Sequence, residues 1–315
     1  MADDPSDREA THGAERETWL APAKINLWLA IGARRSDGMH EVDTGYQAID
    51  LADRIEISRA PIGVEVSCIV RGALAVDVPL GEANLAARAA LLLAARTGHD
   101  LRVSIAIEKR IPAGAGLGGA SSDAAAVLLA LGRRFAVPDP EHTLADLAAE
   151  LGADVPFFLA GGTQRARGIG DELVPAQQPA ERWGVLAWPG TSVATREAYA
   201  WLDAARGPGG DYALPPFAGA GRGNDFESIV TARCPEAGRA LEVLASGPAR
   251  SVRLSGSGSA SFALYANEAD RDHELLRVRS ALVGLPGARV WPFTCIDHGV
   301  VRLEGDPPLA ERAEA

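Results

Sequence analysis

Apolar and polar positions along the chain fall into short segments separated by breaks rich in glycine, serine and aspartate. Residues 25–31 have the apolar character of a strand, and the Gly, Ser and Asp of residues 32–38 predict a loop after it. Further strand-like runs occupy residues 54–58 and 64–70. A helix is predicted over residues 85–96, opened by Asn84 as its cap and stopped at Gly98. Residues 103–109 place an apolar side chain at every second position, which predicts a strand with one buried face. A glycine-rich loop over residues 112–122 follows, then an Ala/Leu-rich helix beginning at Ser121 or Ser122 and ending at Gly132. A second strand–loop–strand unit comes late: residues 252–254, a glycine/serine loop over 255–259, and residues 261–265. The Gly/Pro-rich stretch 207–223 reads as a mobile surface loop, residues up to Thr18 as a disordered tail, and ordered structure as starting at Trp19. No internal repeat is found.

Composition adds bounds. With 315 residues, 47% hydrophobic and 23% charged, the chain can bury a sizeable core as one large or two fused domains. Its formal charge of -11 argues against a nucleic-acid partner, although acidic tails at residues 1–18 and 304–315 supply most of it. No run approaches a membrane span and the acidic start lacks the features of a signal peptide, so a cytoplasmic protein without a membrane partner is expected. Cys68, Cys234 and Cys295 are scattered and odd in number, which predicts reduced, structural thiols. Nothing in the pattern separates an interface patch from a core stripe, so it sets no oligomeric state.

The candidate chemistry sits in the loop PAGAGLGGASS, residues 112–122. Its glycines allow close backbone approach and positive φ, and the serines stand where a helix begins, with amides free to meet phosphate. A serine hydroxyl there can also bind a hydrated Mg²⁺. A plain turn with a serine cap is the structural alternative. No lysine precedes the serines, which excludes a Walker-type loop. Gly114, Gly116 and Gly119 do satisfy the dinucleotide pattern G-x-G-x-x-G. Against that reading, a dinucleotide-fold strand is buried on both faces, whereas residues 103–109 alternate and run into Glu108, Lys109, Arg110 and then Pro112.

The loop resembles the central motif of the GHMP kinases. Three more segments, APAKINL at residues 21–27, GARRSDGMH at 32–40 and LGADVPFF at 151–158, resemble the branch of that family that phosphorylates a cytidyl-linked erythritol in non-mevalonate isoprenoid synthesis. The resemblance covers roughly residues 19–265 in the family's order. It implies an α+β GHMP kinase fold: an N-terminal ribosomal-protein-like left-handed β-α-β part over residues 19–180 and a C-terminal ferredoxin-like sandwich over 181–303, with the active site between them.

ATP and Mg²⁺ are implied, with no side chain assigned as a metal ligand. In the pattern, Asp154 takes the proton from the substrate hydroxyl and Lys24 sits beside it. On spacing alone these would read as a helix cap and a solvated surface charge. ATP would be held by Pro112, Ala113, Gly114, Ala115, Gly116, Leu117, Gly118, Gly119, Ala120, Ser121 and Ser122. Asn84 and Lys109 would lie near adenosine and phosphates, and Gly256 and Gly258 in the loop that closes over them. Asn26, His40, Thr195 and Tyr199 match positions that contact the erythritol and cytidine portions. One departure is Met39, where the family usually has a tyrosine that completes an aromatic clamp on the cytosine. Residues 291–298 are unlike the family and have no role in this reading. Two alternatives stay open: a GHMP kinase for a sugar, homoserine or mevalonate-like alcohol, and a non-catalytic nucleotide-binding homologue.

Overall fold

The computed structural model describes residues 16–70, 78–79, 81–207, 212–214 and 221–304. The tail up to residue 15, most of the stretch 207–223 and the tail from residue 305, each the subject of an expectation above, lie outside the described residues. Order starts before Trp19. Strand β1 spans Glu17–Arg34 and β2 spans His40–Arg59, paired antiparallel along nearly their whole length. The predicted loop at residues 32–38 is therefore mostly strand and a tight turn. Both strands are longer than their apolar runs because β1 absorbs Pro22 and polar positions at register shifts after Pro22, Asn26 and Ile31.

The first sheet follows the order β11-β1-β2-β4-β3, where β3 is Val64–Val70, β4 Val103–Lys109 and β11 Val301–Leu303. Strand β2 serves two partners: residues 54–59 pair with β4, and residues 44–47 with β5 (Thr163–Arg167), which in turn pairs β6 (Glu172–Pro175). β3 and β4 are parallel, linked through helix α1 (Leu85–Thr97). The Asn84 side chain accepts from the Ala86 amide and Gly98 ends α1 in the left-handed region, as the sequence predicts. Helices α2 (Gly119–Arg134), α3 (Pro140–Leu151) and the short α4 (Val155–Ala160) complete this half. The alternation in β4 turns Val103, Ile105 and Ile107 onto Leu128, Leu131 and Leu147 of the helices.

In the second sheet β7 (Trp183–Trp188), β8 (Ser251–Leu254), β9 (Ser261–Tyr265) and β10 (Arg289–Thr294) run antiparallel in the order β10-β7-β9-β8. Helices α5 (Thr195–Arg206) and α6 (Glu227–Arg233) lie between β7 and β8 in sequence. α7 (Pro235–Ala245) and α8 (Glu268–Leu282) bury Leu244, Val278 and Leu282 against Val185 and Tyr265 of the sheet. That arrangement of strands and two packed helices is a ferredoxin-like sandwich.

The two sheets meet through an apolar layer of Ala23, Ile25 and Ile49 from the first and Leu186, Trp188, Phe262 and Phe293 from the second. Residues 291–298 gain a place here: beyond β10, Cys295 bridges to Ile49, and the Ile296 amide bonds to the Ala48 carbonyl before the chain returns as β11. Cys234 and Cys295 are free and buried. Among the described residues no helix is long and apolar enough to cross a membrane.

Candidate active site

The glycine loop leaves β4 at the sheet-to-sheet junction and its backbone is tied down by its carbonyls. Ala113 and Gly114 accept from Ser192 Oγ and the Val193 amide, Ala115 from the Ala260 amide, Gly116 from Ser255 Oγ, and Leu117 from the Lys24 amide. With those oxygens turned into the protein, amides and α-carbons are left to line the open side. A Cβ on Gly116, already at φ 77°, would run into the Ser255 carbonyl, so only glycine lets the early and late glycine loops touch.

Helix α2 begins two residues earlier than the sequence suggests. Gly118, at φ 72°, is its cap and provides no side-chain bond, so the first-turn amides belong to Gly119, Ala120 and Ser121. Ser122 is a correction. Its amide bonds to the Gly118 carbonyl and its hydroxyl is buried without a hydrogen-bond partner, so it stands behind the loop.

In front of the loop lies a cavity of about 500 Å³ whose lining runs from Pro112 to Ser121 and takes in Lys24, Asn26, Asn84, Lys109, Asp154, Thr195, Tyr199 and Gly256. Such a volume is in the range of a bound small molecule. Besides Ser122, two site residues read from the sequence are not in its wall. Gly258 packs toward Val230 and Leu254. His40 is buried behind Tyr199, their rings stacked 4.8 Å apart, with His40 Nε2 2.8 Å from Asp203 Oδ1. Its ring is thus a backing for Tyr199. Met39 does face the cavity and is 48% exposed.

Lys24 and Asn26, two apart on β1, share a face, and Lys24 Nζ donates to Asn26 Oδ1 at 2.6 Å. Asn26 in turn donates to Thr44 Oγ1 at 2.8 Å. Lys24 Nζ also lies 3.8 Å from Asp154 Oδ2. Burial pushes the Lys24 amine below the ordinary lysine value, and the Asp154 charge pulls it back up. Asp154 occupies the cap position of α4 but its side chain makes no cap bond; it is turned to the cavity and 35% exposed. Its other oxygen, Oδ1, accepts a hydrogen bond of 2.9 Å from the Tyr46 hydroxyl. Tyr46 also lines the cavity and was missed from sequence, where it is one aromatic in the strand segment TGYQAI.

Lys109 is placed at the cavity, yet both its ion-pair partners are internal: Nζ bonds to Asp53 and, at 2.8 Å, to Asp123 Oδ2. Burial opposes its charge, but the two carboxylates outweigh burial and hold the amine above the ordinary lysine range. Asp123 is raised above the usual carboxylate range, chiefly by burial; Lys109 acts the other way and Asp53 adds to the rise. Asp123 Oδ1 is buried with no hydrogen-bond partner.

Residues 84–162 match the GHMP kinases N terminal domain and residues 217–284 the GHMP kinases C terminal domain. Together with two sheets meeting at a glycine loop, these matches define the class: a GHMP kinase. Over 254 residues the chain is 42% identical to a 4-diphosphocytidyl-2-C-methyl-D-erythritol kinase of Anaeromyxobacter dehalogenans (strain 2CP-C), covering 78% of this chain and 80% of that one. A crystal structure of 4-(cytidine 5'-diphospho)-2C-methyl-D-erythritol kinase superposes with a TM-score of 0.69 at 36% identity, over 88% of this chain and 99% of the other. A homoserine kinase of Cytophaga hutchinsonii reaches the same TM-score, 0.69, at 18% identity over 91% and 97%, a likeness of fold alone. The chain belongs to the 4-diphosphocytidyl-2-C-methyl-D-erythritol kinase family and is an ATP-dependent small-molecule kinase.

Proposed function

We propose that this kinase transfers the γ-phosphoryl group of ATP to the 2-hydroxyl of 4-diphosphocytidyl-2-C-methyl-D-erythritol, in the cytoplasm, as a step of non-mevalonate isoprenoid synthesis. The observation that carries the mechanism is the Lys24–Asp154 pair, 3.8 Å apart, in the wall of the cavity that the glycine loop also lines. In this reading the substrate hydroxyl oxygen attacks the γ-phosphorus, the bond to the ADP oxygen breaks, and the hydroxyl proton passes to Asp154. Lys24, kept near by Asn26, offsets charge on the transferring group. The loop from Pro112 to Ser121 holds the phosphates on backbone amides and the positive end of α2, with Gly256 and Ser257 opposite. Lys109 acts from behind, fixing the loop through Asp53 and Asp123, and Asn84 shapes the wall beside Pro79, whose carbonyl it binds.

Mg²⁺ fits this donor set. It is usually held by one or two carboxylates plus substrate phosphates. The Ser121 hydroxyl and the unpartnered Asp123 Oδ1 are the oxygens that would hold it, and when bound it neutralises charge on the phosphates. The hydrophobic wall of Leu29, Val42 and Phe226, with Tyr199 and Thr195, would take the cytidyl alcohol. We also assign the two parts of the fold a boundary near residue 180.

The test is a coupled enzymatic assay of ADP release against a panel of alcohols. Turnover confined to the cytidyl alcohol is the expected result. Turnover with a sugar, homoserine or mevalonate-like alcohol would replace the substrate, and turnover with none would point to a nucleotide-binding homologue without catalysis. Asp154→Asn is expected to lose at least about a hundredfold in kcat, as for removal of a general base, while ATP affinity measured by calorimetry stays within about twofold.

A further inference from the structure

The carboxylate of Asp154 has two oxygens in different surroundings. Oδ1 is taken by the Tyr46 hydroxyl at 2.9 Å, whereas Oδ2 lies toward Lys24 at 3.8 Å, beyond an ordinary hydrogen bond. Tyr46 is unusually well fixed for a residue that touches the site. It pairs with Asn26 across β1 and with Gln164 across β5, and its ring lies 5.1 Å from that of Phe157 in α4, the helix that Asp154 caps. Lys24 Nζ sits 5.1 Å from the same ring centroid. The hydroxyl also needs space, and Gly170 leaves it: a Cβ there would lie 2.8 Å from the Tyr46 oxygen.

We infer that Tyr46 is a positioning residue for phosphoryl transfer: its hydroxyl fixes Asp154 Oδ1, so that Oδ2, beside Lys24, is the oxygen that takes the substrate proton. This rests on the reading of Asp154 as the base. A phenol donating to a carboxylate makes a charge-assisted bond that orients the group. The phenol is a dependable donor here, because burial and the Asp154 charge push its own ionisation well above the ordinary tyrosine value. The charged and titratable groups around the carboxylate are Lys24 from β1, Tyr46 from β2 and Tyr199 from α5, with Asp171, in the turn between β5 and β6, acting on Tyr46. Of these Tyr46 alone donates a hydrogen bond to it among the described residues, so its removal leaves Oδ1 free to rotate toward the cavity.

Tyr46→Phe deletes one oxygen and keeps the ring. The kcat and the KM values for ATP and for the cytidyl alcohol are compared with the parent enzyme. Expected are a fall of about tenfold in kcat, the scale of one hydrogen bond to a charged group, and a KM for ATP within about twofold of the parent. A residue that only packs would lower stability in urea-induced unfolding and leave the kcat of the folded enzyme in place. An unaltered kcat overturns the inference, as does a loss appearing only in the KM for ATP. Asp154→Asn, run alongside, separates the two ideas. An inactive Asp154→Asn with an unaltered Tyr46→Phe removes the positioning role alone, whereas an active Asp154→Asn removes the base itself.

Discussion

Asp53, fully buried, accepts from Lys109 Nζ through Oδ2 and from the backbone amides of Arg110 and Ile111 through Oδ1. Three donors thus converge on one carboxylate just where the glycine loop leaves β4, and Lys109 carries the connection on to Asp123 in α2. Replacing Asp53 with alanine leaves the Arg110 and Ile111 amides without this partner and Lys109 with one carboxylate, so a loss of about 3–5 kcal/mol in urea-induced unfolding is expected. The pH sign follows from Lys109. Its folded value is raised, so its contribution is complete below the ordinary lysine value of 10.5 and is lost only as pH rises above it. A Lys109→Met variant should therefore be less stable than the parent at about pH 9, above the Asp123 value of about 7, and that deficit should begin to narrow only as pH rises above 10.5. These partners were not legible from sequence. The resemblance places Lys109 near adenosine and phosphates but does not show its partners, because its carboxylates stand 56 and 14 positions away and no spacing rule connects them. Tyr46 was hidden for the same reason, 108 positions from Asp154. Lys24 and Asn26, by contrast, are named by the resemblance, and the structure places them two apart on β1 with Lys24 Nζ donating to Asn26 Oδ1.

At the scale of elements, local signals translated well where a single physical rule decided the outcome. Asn84 and Gly98 bracket α1 because a side-chain cap and a left-handed exit are local requirements. β4 follows its alternation because one face meets α2 and α3. β1 and β2 exceeded their apolar runs because buried polar residues such as Thr44, Gln47 and Asp53 are satisfied by neighbours far along the chain, which no window of sequence can show. The start of α2 moved to Gly119 because Gly118 itself takes the left-handed turn that the serines were expected to follow. The two glycine loops then meet at Gly116. Gly116→Ala would press a methyl group into the Ser255 carbonyl at a positive φ, forcing the loops apart. The KM for ATP is expected to rise at least about tenfold, with secondary structure by circular dichroism unchanged; a KM within about twofold of the parent would show that the loops need not touch.

Across the whole molecule, the return of the chain after the second sheet links the two halves to Asp154. Beyond β10, Cys295 and Ile296 bond along Ala48 and Ile49, Gln47 Nε2 donates to the Ile296 carbonyl at 2.9 Å, and the Val300 amide bonds to the Phe158 carbonyl at 3.0 Å. Phe158 belongs to α4, whose N-cap position is Asp154. Residues 291–298, which have no role in the sequence reading, together with Gly299 and Val300 therefore brace from behind the short helix that presents the carboxylate to the cavity. At Gly299 the brace has no slack, since an added Cβ would strike the Phe158 carbonyl. Gly299→Ala must push α4 toward the cavity or lift the returning strand off it. Stability should fall by about 1–3 kcal/mol, the usual cost of overpacking. Displacing Asp154 by even a fraction of an ångström should also lower kcat, by about tenfold, although position 299 lies far from the carboxylate in sequence. ATP affinity should hold, because the glycine loop is anchored through Lys24, Val193, Ser255 and Ala260. Calorimetric ATP titration beside steady-state kinetics reads both quantities, and a variant with the parent's kcat would show that α4 keeps its position without this brace.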